Sequence, residues 1–244
     1  MLQELLELLP DDPGTSGLAI AITGSLIGAA IWLLGARFSR PIVTLLTVLL
    51  GAVIGHSLPD WFGWQVSGAG TAVGLSLAFG ITGYALHGMW VGIGLGTVLS
   101  TWAAIGCWIA FRGKAEWSWP PIETDTTLAS YLSTVWQSLP TDVSRVLPYG
   151  CASALISGLA MAILWPRFSL LLGWSCAGAT LLAGMGLAAV DYGNPQLLTS
   201  IPADKWAQAS MLGMLVTVGM LIQWKLGPKP AASPVKKKPK DDEE

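Results

Sequence analysis

Long apolar runs separated by short polar breaks dominate the chain. They cover Gly17–Gly35, Pro41–Leu58, Val66–Tyr84, Met89–Phe111, Leu147–Trp165, Phe168–Val190 and Trp206–Trp224. Each approaches the roughly 20 residues that a helix rising about 1.5 Å per residue needs to cross about 30 Å of hydrocarbon. The third and fourth runs are nearly fused. Residues 66–111 carry no acidic or basic side chain, and His87 is the one titratable group of note. A continuous helix of that length would reach about 70 Å, so the chain must fold back. The expected place is "LHGM", where His87 tolerates an interface and Gly88 permits a turn. The pattern predicts an all-α, polytopic membrane bundle of seven transmembrane helices.

The same pattern divides the chain. Residues 1–14 form a short acidic segment and residues 15–226 the membrane domain. Residues 112–146 form a Trp- and Pro-rich loop between spans four and five. Within it Leu128, Leu132, Val135, Trp136 and Leu139 recur at helical spacing, which predicts an interfacial helix near 126–139. Residues 227–244 read as a low-complexity, disordered tail.

Charge sharpens the picture. Only 11% of the 244 residues are charged, and eight of the 28 charges lie in the last nine positions, "KKKPKDDEE". Soluble domains carry about 25%, so a surface this poor in charge implies lipid as the surrounding solvent for most of the chain. Mean hydropathy is +0.58. Glycine, at 29 residues, suits close-packed membrane helices. There is no basic domain to hold nucleic acid. Three cysteines without C-x-x-C spacing and two isolated histidines give no metal signature. The acidic start lacks the positive region of a signal peptide.

Lysine and arginine orient the bundle. With the N-terminus outside, the inner segments hold Arg37, Arg40, Arg167, Lys225, Lys229 and four tail lysines, nine in all. The outer segments hold four: Arg112, Lys114, Arg145 and Lys205. Tryptophan agrees. Trp32, Trp90, Trp165 and Trp224 fall near inner span ends, and Trp61, Trp64, Trp108 and Trp206 near outer ones, where an amphipathic indole is favoured. The expected topology is N-terminus outside, C-terminus cytoplasmic, in the cell membrane.

One charged tripeptide occurs twice. Arg37-Phe38-Ser39 joins spans one and two, and Arg167-Phe168-Ser169 joins spans five and six. Gly28 with Gly158, Ala30 with Ala160 and Leu34 with Leu164 match in the same register. A parallel repeat of hairpins 1–2 and 5–6 is one origin; two hairpins obeying the same positive-inside physics is the other.

The second hairpin, with Trp165-Pro166-Arg167-Phe168 and then Val190-Asp191-Tyr192, and the glycine-rich third and fourth spans resemble the transmembrane protein 198 family. That family includes the membrane domain of the seven-transmembrane superfamily member 3 proteins. The resemblance covers roughly residues 17–226 and implies seven spans with an outside N-terminus. It implies no catalytic residue set. The loop 112–146 departs from the family.

Candidate chemistry is sparse. Ionisable groups inside spans usually mark membrane enzymes and ion-coupled transporters; here the span interiors have no Asp, Glu, Lys or Arg. "GHSLPD" sets His56, Ser57 and Asp60 close together, but residues so adjacent rarely converge as a triad, and an outer interfacial turn is expected. Asp191 and Tyr192 read as the polar outer end of span six. In "SIPADKWAQ", Ser200 is expected to cap the last span, with Pro202 in its first turn. Cys107 and Cys151 sit at similar outer depth. A disulfide needs Cα atoms within about 7 Å, yet membrane cysteines more often pack as small apolar groups, and Cys176 is expected to stay free.

Span four and the turn before it carry Gly88, Gly92, Gly96, Ser100 and Ala104 along one face. The strip is expected to bury against span three, which offers Gly70, Gly74 and Ala78, or against the first hairpin; a homodimer face is the alternative. No catalytic, cofactor-binding or metal residue is assigned, and no cofactor is expected. The reading is a multi-pass scaffold or assembly factor. Its partners are the lipid bilayer and a protein met through loop 112–146 or the span-four face, with a homo-oligomer as a further candidate. The alternative is a channel or transporter for a neutral solute, lined by Thr23, Thr44, Thr47, Ser76, Thr82 and Thr97.

Overall fold

The computed structural model describes residues 14–112, 128–200 and 204–227. In chain order the helices are α1 (Gly14–Leu34), α2 (Ser39–Phe62), α3 (Gly68–Ala85), α4 (His87–Arg112), α5 (Leu128–Ser138), α6 (Thr141–Leu164), α7 (Pro166–Gly193) and α8 (Lys205–Leu226). A 3₁₀ turn, Pro195–Ser200, follows α7. No strand occurs among the described residues.

Six helices are long and apolar enough to cross a membrane: α1, α2, α4, α6, α7 and α8. α3 is not among them. It has 18 residues, five of them glycine, which dilutes its hydropathy.

The outside of the bundle is oily and its inside is small. Ile163, Met214 and Val53 are exposed, while the buried positions of α7 are Ser169, Leu171, Ser175, Cys176, Gly178, Ala179 and Ala188. That inversion is what lipid permits, because tails are as apolar as Leu and only close packing distinguishes a helix neighbour. α7 is the central helix, touching α1, α4, α6 and α8.

Three antiparallel pairs carry most of the packing: α1 with α7, α2 with α3, and α4 with α6. Each is a close backbone approach. A Cβ built on Gly28 would lie 2.6 Å from the Leu182 nitrogen, and one on Gly51 2.5 Å from the Leu75 carbonyl oxygen. In the third pair Gly158 abuts the backbone of Gly96. Cross-helix hydrogen bonds accompany them, with the Thr71 hydroxyl donating to the Gly55 carbonyl at 2.6 Å and that of Ser100 to the Cys151 carbonyl at 2.7 Å.

The pairing corrects several expectations. The chain does fold back near "LHGM", at Leu86, yet α3 and α4 share little contact; α3 lies along α2 instead. The small residues of α4 face α6, not α3 or the first hairpin: Gly92 meets Ala162 and Gly96 meets Leu155. α1 and α2 are joined by a short turn but do not pack as a hairpin, since each has a better partner elsewhere. "GHSLPD" is no turn. α2 continues through Pro59 to Phe62 and ends at Gly63, whose φ of 63° is left-handed and suits glycine. α8 is capped by Asp204, whose carboxylate accepts from the Ala207 N–H at 2.9 Å, so Ser200 is not the cap; 201–203, with Pro202, lie outside the described residues. α6 begins at Thr141, well inside the stretch read as loop, and α5 occupies Leu128–Ser138.

Candidate functional site

The turn between α1 and α2 delivers Ser39, the first residue of α2, into the bundle, where it is 3% exposed. Its Oγ lies 2.6 Å from His87 Nε2, on the first residue of α4. The Trp174 indole of α7 donates to the same oxygen at 2.9 Å. An indole N–H can only donate, so the serine oxygen accepts from it, leaving the hydroxyl proton free to go to the imidazole. One hydroxyl therefore ties α2, α4 and α7 together.

Gln223 of α8 makes a second tie beside it. Its side chain is buried, its Nε2 donates to the carbonyls of Trp32 (2.7 Å) and Ile31 (3.3 Å), and its Oε1 accepts from the Ala36 N–H at 3.2 Å. The last carbonyls of a helix lack intrahelical partners, and here a neighbouring helix supplies the donor. Trp32 in turn donates to the Leu215 carbonyl at 3.0 Å.

The helix ends nearest this cluster are basic. Arg37 and Arg40 flank Phe38 and Ser39, Arg167 lies 4.7 Å over the Trp224 ring, and Arg40 5.9 Å over that of Tyr84. The described acidic residues, Asp60, Asp142, Asp191 and Asp204, all lie at the opposite ends of their helices. Antiparallel pairing puts those four ends on one side of the bundle, together with Arg112, Arg145 and Lys205, and Arg37, Arg40, Arg167 and Lys225 on the other.

Above Ser39 and His87 runs an apolar groove of about 320 Å³ between α2, α4 and α7. Val43, Leu46 and Leu50 form one wall, Trp90 and Gly94 the other, and Trp174 closes the end at Ser39. Its volume falls within the range of small-ligand sites, about 300–1,000 Å³.

Trp174 donates to the serine oxygen, and no carboxylate among the described residues hydrogen-bonds the His87 ring. The residues singled out from sequence lie apart from it. Ser57 donates to the Val53 carbonyl of its own helix at 3.3 Å, and His56 and Asp60 are exposed on the last turns of α2. Asp191 and Tyr192 lie on the last turn of α7. Cys107, Cys151 and Cys176 are free thiols; Cys151 donates to the Ser100 carbonyl. No group of three or more His, Cys, Asp or Glu able to hold a metal occurs among the described residues. Thr23, Thr44, Thr47, Thr82 and Thr97 each donate to a carbonyl of their own helix three or four residues back.

Sequence reasoning missed Ser39 and Gln223. Ser39 sits between Arg37 and Arg40, whose positive-inside signal says nothing of the serine between them. Gln223 had a readable signal, since an uncharged amide inside an apolar span is commonly a cross-helix hydrogen-bonding group. No protein family, curated protein or solved structure matches the chain.

Proposed function

We propose that the chain is a seven-span integral protein of the cell membrane, of the transmembrane protein 198 type, that serves as a scaffold or assembly factor and has no catalytic site. The observation that carries this reading is the use of its polar side chains. Ser39, Gln223, Thr71 and Ser100 bond across helices, and the threonines that could have lined a passage bond back to their own helices. Such hydroxyls hold a bundle together and offer a permeating solute few free groups.

α3 is the seventh span in this reading. At about 1.5 Å per residue its 18 residues reach about 27 Å, close to the hydrocarbon thickness. It runs antiparallel along α2, itself apolar enough to span. The end at Ser39 and His87 holds Arg37, Arg40, Arg167 and Lys225 and no described aspartate, which supports it as the inner end. Gly92 and Gly96 are already covered by α6, so the partner-facing region is the outer segment 112–146, whose helix α5 belongs to none of the extensive helix pairs.

Reporters fused to both termini test the span count. Seven spans put the N-terminus outside and the C-terminus in the cytoplasm; six put both on one side. Liposomes holding the purified protein test the function. The expected result is leakage of small neutral solutes equal to that of empty liposomes. A flux that falls when Thr47 or Thr97 becomes Val would support a channel instead.

A further inference from the structure

We propose that the groove between α2, α4 and α7 holds one acyl chain of an anionic phospholipid, with the headgroup at Arg40 beside Ser39 and His87. The inference rests on the membrane-spanning reading above.

Three observations converge. The groove is mostly apolar, with Val43, Leu46, Leu50 and Gly94 among its walls, and the hydroxyls of Thr47 and Thr97 that line it donate to their own helices, so it suits a hydrocarbon chain. Leu46 and Leu50 are exposed on the bundle's outer surface, which gives lateral entry from the bilayer. At the Ser39 end the chemistry changes within one helical turn. Arg40, Arg37, Arg167 and Lys225 gather on that side, and no ion pair involving them occurs among the described residues. Uncompensated basic groups at an inner membrane face attract anionic lipid, each contributing about 1 kcal/mol near the surface.

Arg40 lies one turn before Val43, which lines the groove. A phosphate on Arg40 and a chain running towards Leu50 follow the order of groups in a phospholipid.

Gly94 makes the idea testable without unfolding the protein. A Cβ added there meets nothing within 4 Å, so Gly94→Leu fills the groove and leaves the helix contacts intact. Gly213→Leu, on α8 and equally open, is the control. The full chain is reconstituted with phosphatidylglycerol and phosphatidylcholine of identical acyl chains, and lipids retained after release are counted by native mass spectrometry. The expected result is one retained phosphatidylglycerol on the wild type and on Gly213→Leu. Gly94→Leu should lower its occupancy several-fold. Arg40→Gln should keep a lipid but lose the preference for phosphatidylglycerol. Should Gly94→Leu not yield a monodisperse helical protein, Leu46→Trp narrows the same groove from its exposed wall. Equal retention by the wild type and the groove variants overturns the acyl site, and unchanged preference in Arg40→Gln overturns the headgroup site. Release of the wild type from membranes by alkaline wash would instead sink the membrane reading.

Discussion

The two Arg-Phe-Ser steps look alike in sequence and behave differently in the fold. Ser39 and Ser169 are both buried, each at the start of a helix. Ser169 donates to the Pro166 carbonyl of its own turn at 3.0 Å, whereas Ser39 joins His87 and Trp174 from two other helices. The helices leading into the steps repeat the contrast. Gly28 and Gly158 are both tight contacts, but Gly28 meets α7 and Gly158 meets α4. Ala30 and Ala160 are exposed, as are Leu34 and Leu164. Matched positions thus share burial and not partners. Local sequence can dictate which face of a helix is small; it does not dictate which neighbour fills that face.

The sharpest test of the comparison is packing. Gly28→Leu and Gly158→Leu are both expected to lose the folded bundle or to cost at least the 1–3 kcal/mol typical of overpacking, because in each the added atoms meet backbone. Ala30→Leu and Ala160→Leu should be tolerated. Thermal unfolding in detergent reads this out, and a stable Gly158→Leu protein would break the equivalence of the two helices.

Next comes the serine pair. Ser39→Ala leaves the Trp174 indole and the His87 ring without their shared partner, at an expected cost of about 1–3 kcal/mol. Ser169→Ala removes only an own-turn bond and should change stability by no more than about 0.5 kcal/mol. Equal losses in the two variants would mean that the cross-helix tie at Ser39 is not a stabilising feature.

The arginines give the smallest effect. Arg167 lies over Trp224 of another helix, while Arg37 lies over its neighbour Phe38 at 5.9 Å. Arg167→Gln should cost about 0.5–1 kcal/mol, and Arg37→Gln less, measured by the same unfolding assay.

Much of the fold was legible in sequence because a bilayer imposes length and polarity. Apolar runs near 20 residues follow from one-dimensional rules, and six of the described helices are long and apolar enough to cross a membrane. α3 reads as a span in sequence, and at 18 residues it has the length, but its glycines leave it less apolar than the six helices apolar enough to cross a membrane. The site escaped because its parts are far apart in the chain: Ser39 and Trp174 are 135 residues apart, and Gln223 reaches Trp32 across 191. Nothing local distinguishes a serine that bonds its own turn from one that bonds two other helices.

By itself, then, the sequence determined a helical chain suited to lipid, where its turns carry charge, and which helix faces are small. The tertiary structure alone decided the partners: α1 with α7, α2 with α3, α4 with α6. The reason is physical. The helices of these pairs are apolar on their outside, so hydrophobicity cannot choose among neighbours, and the choice falls to close backbone fit and to a few hydrogen bonds whose two ends lie far apart in the chain.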